Sequence, residues 1–421
     1  MYCNLAKLLL FALSLATIPL ATAQFQLDAQ LRTRGEFRDG YQRLAANDAT
    51  PAALISQRSR LTLSYATEDF KLWFSPQDVR IWGDEELASL GGVTGNKASL
   101  DMFEGMVDFR IGSNSWLAVG RQTLVYDNQW LLAARNWNQR GISSDALLYK
   151  YSKNDIKVHV AGSWNTLNAT LSDIHFPTDR LKSLNFIWIN KNTGKGTNAS
   201  LLHVASGVTE SDSTNTIHFR QTSGFFAEFT RDYLSFQGNA YYQYGQNQQG
   251  KDVSAFLLVG EASLKADKLT PGIGVVYLSG NSKTGVDQKT DRLFDHLYGG
   301  RHRNFGYIDY FRTFNLDTKQ GGLIDYYFYM GYKLNDKVSI RNIGHYFQLA
   351  QTNPLTPSGR NLGYENDVVL KFRFSNIGVL ESGYSFMLPT ENLKQLHGVS
   401  DAKFSHFFYL MLTFTPMLYA Y

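Results

Sequence analysis

One cysteine, Cys3, stands in the 421 residues, and it falls at the extreme N-terminus. The body of the chain can therefore hold no disulfide and no thiolate metal site. Only nine prolines interrupt the chain, against 35 glycines, so long stretches are open to regular structure. After the first twenty residues no run is apolar enough for a membrane-spanning helix, so a membrane role has to be carried by a closed barrel. The formal charge of +4 is modest: it gives no reason to expect a nucleic-acid partner, and any preference for anions must come from local placement. G-x-S-x-G, H-E-x-x-H and phosphate-loop patterns are missing, and the Asp-rich turns lack calcium-loop spacing. No catalytic residue, metal or cofactor is assigned, and the chain reads as a non-enzyme.

What the chain has in excess is aromatic: 24 Tyr, 28 Phe and 7 Trp make 14% of the residues. The mean hydropathy of −0.27 resembles that of a soluble protein. Strands whose apolar residues alternate with polar ones would hide lipid-facing surface in that average. Residues 1–23 read as an export leader, with Lys7, an apolar Leu8 to Leu20, and Ala21-Thr22-Ala23 before Gln24. Residues 24–421 then form one domain.

Gln24 to Arg38 alternates with period two: Phe25, Leu27, Ala29, Leu31 and Phe37 on one face, Asp28, Arg32, Arg34, Glu36 and Arg38 on the other. A helix would scatter both sets, so this is a strand. In 55–66, Leu61, Leu63 and Tyr65 oppose Arg58 and Arg60. Further strands are expected at 69–80, 100–112, 115–125, 143–152, 155–164, 181–191, 199–207, 215–230, 233–246, 253–266, 269–281, 322–334, 337–350, 360–374, 377–388 and 404–414, about eighteen in all. No helical segment stands out. Tight Asn, Asp and Ser turns alternate with the longer 39–54, 81–99, 126–142, 165–180, 282–321 and 389–403. The fold class is all-β, a transmembrane antiparallel barrel with short periplasmic turns and long extracellular loops. The last strand, 404–414, is followed by a tail, 415–421, outside the expected closing strand.

Lipid-facing Arg near the bilayer midplane costs about 2–4 kcal/mol, so Arg32, Arg34, Arg58 and Arg60 should all point into the lumen. The same logic assigns Lys371 and Arg373, opposite Val368, Leu370 and Phe372; Glu36, Glu365 and Asp367 should also face inward. Arg110 and Arg121 are further candidates on strands that alternate less cleanly. The stretch 126–142 between two strands holds Asn128, Arg135, Asn136, Asn138, Gln139 and Arg140 beside Trp130 and Trp137. Such a loop suits a constriction, with cations and amides for hydrogen bonds and indoles for stacking, and its Trp side chains favour packing inside over projecting outward. A surface loop that happens to hold two Trp is the alternative. His302 and Arg303, near Asp291, Asp295 and Asp309, read more simply as an ordered polar loop pinned by ion pairs than as a metal or catalytic set.

Three segments carry a resemblance: GRQTLVYDNQW from Gly120 to Trp130, RNWNQRG from Arg135 to Gly141, and FDHLYGGRHRNFGYIDYF from Phe294 to Phe311. With the arginine-rich first strand pair and the aromatic final strand, they resemble the alginate export family of outer-membrane porins. That resemblance implies an eighteen-stranded monomeric barrel in the bacterial outer membrane, with an electropositive constriction that passes an anionic polysaccharide. It places Arg121, Arg135 and Arg140 in the pore region and His302 on an extracellular or infolded loop. The expected function is a channel for passive diffusion or export of anionic solutes, such as alginate or its oligosaccharides. The expected partners are outer-membrane lipid, the barrel-assembly machinery and the anionic solute. A surface receptor or adhesin without an open pore, and a barrel enzyme, are the rivals.

Overall fold

The computed structural model describes residues 24–83, 100–169, 171–174, 176–194, 196–282, 289–356 and 359–421. The expected leader, most of the 81–99 loop and positions 283–288 of the 282–321 loop lie outside them. Eleven strands come first: β1 (Gln24–Asp39), β2 (Ala52–Ala66), β3 (Phe70–Ile81), β4 (Leu100–Gly112), β5 (Ser115–Gln122), β6 (Ser144–Lys153), β7 (Ile156–Trp164), β8 (Ser183–Asn192), β9 (Thr197–Thr209), β10 (Ile217–Arg231) and β11 (Leu234–Gly245). After the short β12 (Asp252–Val253) come β13 (Ala255–Leu264), β14 (Leu269–Leu278), the short β15 (Thr290–Asp291), β16 (Leu323–Lys333), β17 (Val338–Gln348), β18 (Asn361–Arg373), β19 (Gly378–Pro389), β20 (Ser405–Phe414) and β21 (Met417–Ala420). β12 and β15 form a small parallel pair of their own. Every other strand pairs antiparallel with its neighbours in the chain, and β1 closes the ring on β20 and β21.

The main sheet counts 19 strands, of which β20 and β21 are one strand broken at Thr415–Pro416. The wall is thus a closed barrel of eighteen. The tail set apart in the sequence reading is part of it. Pro416 lacks the N–H a regular ladder needs, which forces the break, yet its carbonyl accepts from Ala29 N–H at 2.9 Å and Met417 to Ala420 resume pairing with β1. Phe25 and Tyr421 exchange backbone hydrogen bonds of 3.0 and 2.9 Å, so both ends of the described chain meet at the short-turn rim. On that rim Asn154, Asp232 and Asp267 take φ of 53°, 54° and 47°, a left-handed conformation that Asn and Asp tolerate best among residues with a Cβ.

Alternation sorts the wall into two faces. Leu31, Leu61, Phe74, Leu147, Leu201, Ile273 and Phe328 are exposed on the outside, as lipid contacts require, whereas Arg32, Arg34, Glu36 and Arg58 are buried on the inside. The expected absence of helix is corrected by three short ones among the described residues: α1 (Arg301–Asn304), α2 (Phe314–Asp317) and α3 (Glu391–His397). The last is capped at both ends, by the Thr390 side chain and by Gly398 at φ 67°, where a Cβ would be strained. It buries Leu393 and Leu396. A seven-residue helix shows too little periodicity to stand out in a chain dominated by period two. Strand β5 stops at Gln122, short of the expected 125, because Leu124 and Tyr126 turn inward and are buried.

The apolar core is unusual in its place. Two loops fold into the lumen and pack on each other there: 123–143, and the described part of 282–321. Trp130, Leu131 and Leu132 from the first cluster with Phe294, Phe305, Ile308 and Phe311 from the second. Left on the outer rim, these side chains would face water; inside, each covers the other.

Candidate functional site

The first in-folded loop crosses the lumen. At one end Asn128 exchanges amide hydrogen bonds with Asn239 of β11, at 2.8 and 3.0 Å. At the other end, on the far wall, β1 and β2 hold it through their arginines. Arg32 donates to the carbonyls of Asn136 (2.6 Å) and Asn138 (3.1 Å) and to the Gln139 side chain (2.8 Å). Arg58 donates to the Asn136 side chain at 3.0 Å and the Gln139 carbonyl at 3.1 Å, and Arg34 to the Trp137 carbonyl at 2.7 Å. Arg60 completes the row, donating to Gln77 at 2.6 Å and lying over the Phe103 ring at 3.3 Å. All four arginines point inward, yet Arg32, Arg34 and Arg58 are buried to 5%, 5% and 0% exposure behind the loop they hold. A guanidinium offers five donors in a fixed fork, which is why it can grip several carbonyls at once.

The second loop is fastened in the same manner. Gln243 of β11 and Asp295 exchange hydrogen bonds of 2.8 Å, and the Ile308 N–H donates to Glu365 of β18 at 2.9 Å. Gly306 leaves room for that carboxylate, since a Cβ there would lie 2.3 Å from a Glu365 oxygen. Arg135 joins the two loops by donating to the carbonyls of Leu297 (2.7 Å), Tyr298 (3.2 Å) and Gly299 (3.1 Å). Burial, and then the neighbouring Arg301, push the Arg135 guanidinium down to about 10, so it stays charged at neutral pH.

Where the loops meet the arginine wall, four groups stack. The Arg34 guanidinium lies 3.8 Å from the Trp137 ring centre, Trp137 and His302 are 3.8 Å apart and within 9° of parallel, and Tyr307 follows at 4.5 Å. His302 Nδ1 lies 3.0 Å from Asp309, which also accepts from the Tyr41 hydroxyl. Burial, and then the Asp309 charge, push the Tyr41 hydroxyl above its ordinary range, so it remains a donor.

Above this stack opens a cavity of about 700 Å³ on the long-loop side. Eight arginines line it (Arg34, Arg38, Arg80, Arg135, Arg140, Arg301, Arg303 and Arg312) against the two carboxylates of Glu36 and Asp309. Glu36 is already gripped by Arg34 at 2.6 Å and Arg38 at 2.5 Å. Arg303 and Arg312 are exposed, and their guanidinium groups make no hydrogen bond among the described residues. The exposed guanidinium groups of Arg140, Arg303 and Arg312 therefore face solvent as an anion-attracting field.

The remaining residues expected at the site divide. Arg140, His302, Arg303, Trp137 and Arg135 gather around the cavity; Trp130 lies beneath it in the lumen core. Arg121 lines a smaller cavity with Arg140 and with Gln77 and Phe103, the contacts of Arg60, and its charge is engaged by Asp145 at 2.8 Å, both half-exposed. Arg110 is exposed beside Trp116 near the 113–114 turn, remote from the constriction. Lys371 pairs with Glu381 at 2.9 Å and Arg373 is exposed, both toward the short-turn rim. Arg301, Arg312 and Tyr41 were missed, because they sit on loops where no alternation assigns a direction; Arg38 lies on the polar face of β1 that the alternation identified, and only its place at the cavity was missed. The RHR run at 301–303 was the available signal.

The alginate export family model matches residues 23–372. The chain belongs to the alginate export family. It is accordingly a channel protein of the bacterial outer membrane and not an enzyme. No curated protein sequence matches it. Among solved structures, this alginate export family member is similar to Acinetobacter baumannii OccAB1, with a TM-score of 0.66, 10% identity, and 94% of this chain and 97% of that chain covered. Pseudomonas aeruginosa OpdQ gives 0.59 at 10% identity, covering 94% and 98%. Pseudomonas aeruginosa OpdK with vanillate gives 0.58 at 12% identity, covering 94% and 99%. At these identities the likeness is one of fold.

Proposed function

We propose that the protein is a diffusion channel for anionic solutes, acidic saccharides such as alginate oligosaccharides among them, and that the arginine-lined vestibule is its filter. The observation that carries the reading is the exposure of Arg140, Arg303 and Arg312 in a cavity whose lining holds only two carboxylates, Glu36 and Asp309. Planar guanidinium forks match carboxylates bidentately, and the half-buried Trp137 and Tyr41 line the same cavity and add apolar surface to it. Vanillate, a carboxylate, accompanies one of the structural neighbours. Salt screens such a field over about 8–10 Å, so selectivity should be strongest in dilute electrolyte.

The test is the reversal potential in a KCl gradient across planar bilayers. Wild type should favour chloride, and the Arg303→Ser/Arg312→Ser double variant should shift toward potassium, more at low salt. An unchanged reversal potential with normal insertion removes the anionic substrate from the proposal, and a complete lack of conductance by the folded wild type favours the receptor alternative.

A further inference from the structure

A second cavity, about 350 Å³, shares Arg301 with the vestibule but is built differently. One wall is a closed network in which Arg220, Asn247 and Asn281 all donate to Asp291, at 3.1, 3.0 and 3.1 Å. That network satisfies its own charge and asks nothing of a ligand. The opposite holds for His296 and Arg301. His296 is 1% exposed, yet neither ring nitrogen has a partner, and the Arg301 Nε–H is buried and unpartnered as well. The rings around His296 (Trp130, Phe305 and Phe314) meet it edge-on and offer no lone pair. A buried donor or acceptor left unpaired costs about 1–3 kcal/mol, and native structures rarely keep several in one place without something to fill them.

The chemistry of the missing partner can be read from these groups. Burial, and then the Arg301 and Arg135 charges, hold His296 well below the ordinary imidazole range, so the ring is neutral. A neutral imidazole presents one N–H and one lone pair, which a hydroxyl group, itself donor and acceptor, can complement. The Arg301 guanidinium feels the charges of Asp295 and Asp317 but hydrogen-bonds neither, so its Nε–H remains open to a ligand carboxylate. The side chains of Gln248, Gln249 and Asn315 also line the cavity and make no hydrogen bond among the described residues, leaving amides for further hydroxyls. Leu293 and Phe314 supply an apolar patch. We infer that this side cavity is a binding site for a small polyhydroxylated carboxylate, its carboxylate on Arg301 and a hydroxyl on His296. Its volume lies toward the lower end of small-molecule sites. The two cavities share Arg301, but His296, Gln248, Gln249 and Asn315 line only the second, so substitutions at those positions probe this site without altering the vestibule lining.

Calorimetric titration of the full-length barrel in detergent with sodium gluconate tests this, with sorbitol and sodium acetate as half-probes. Gluconate should bind more tightly than either half-probe. His296→Phe, which keeps an aromatic ring but removes both nitrogens, and Arg301→Gln should each weaken it about tenfold or more. Asn315→Ala, an exposed position that leaves the lumen core untouched, should weaken it about threefold. Three results would overturn the inference: no gluconate binding by the folded wild type; binding by a folded His296→Phe equal to wild type, which would assign the nitrogens to a buried water; or acetate binding as tightly as gluconate. If His296→Phe does not fold, unaltered binding by Asn315→Ala and Arg301→Gln overturns it equally.

Discussion

Arg58→Ser separates holding the constriction from colouring its charge. Arg58 is wholly buried and reaches the 123–143 loop through two hydrogen bonds, to the Asn136 side chain at 3.0 Å and the Gln139 carbonyl at 3.1 Å. A hydrogen bond from a charged donor contributes about 1.5–3 kcal/mol. The freed acceptors can turn to lumen water, so the low end applies, roughly 3 kcal/mol for the pair. That is about a 150-fold change in the ratio of docked to released loop. Arg32 and Arg34 still grip the neighbouring carbonyls, so the loop should be released in brief excursions rather than lost. In single-channel recordings, Arg58→Ser should show added upward current flicker and a higher mean conductance. Deleting residues 129–139 sets the ceiling that those excursions approach. Arg373→Ser serves as the control, since that residue is exposed toward the short-turn rim and touches neither in-folded loop. If Arg58→Ser, shown to be a folded barrel by its heat-modifiable gel mobility, gives wild-type conductance and noise, the arginine row does not hold the loop. It would then act only through its field.

Two further outcomes can be checked. A cysteine placed at Ser282 should be labelled by a membrane-impermeant reagent on intact cells, whereas one at Asn335, in a tight turn of the opposite rim, should not; the reverse pattern would invert the orientation of the barrel. Acidification should loosen α3: burial, and then Arg43 and Lys319, lower His397 from 6.5 to about 4, while its Nδ1 accepts from the Leu44 N–H at 3.1 Å. The unfolded segment binds the proton first, so this anchoring is complete above pH 6.5 and is lost as pH falls toward 4. Proteolysis within 389–403 should rise across that window, and pH-independent protection would refute the account.

The barrel itself was legible in the sequence because its determinants are local. Period two in 24–38 and 55–66 separates Leu31 and Leu61 from Arg32 and Arg58, and the cost of an arginine in lipid fixes which set points inward. Turn residues such as Asn154 and Asp232 and the alternation of short and long connections gave the strand order. The crowding of Trp, Arg and amides in 126–142 marked the constriction loop for the same reason: so many aromatic groups are unstable on a free loop.

What the arginines hold was decided only by the tertiary structure. Arg32 meets the Asn136 carbonyl 104 positions away, and a backbone carbonyl carries no mark in a sequence. The four inward arginines therefore read as an open row of charge, although three of them are buried in hydrogen bonds to a loop. The exposed charge of the vestibule comes from Arg140 on the first loop and from Arg303 and Arg312 on the second, where neither periodicity nor lipid constrains direction. Likewise, a histidine in FDHLYGG gives no sign that its two nitrogens will be sealed without a partner; that depends on Trp130 and Phe305 arriving from two different loops. Local alternation specifies a wall. The contents of the lumen depend on which distant segments fall into it together.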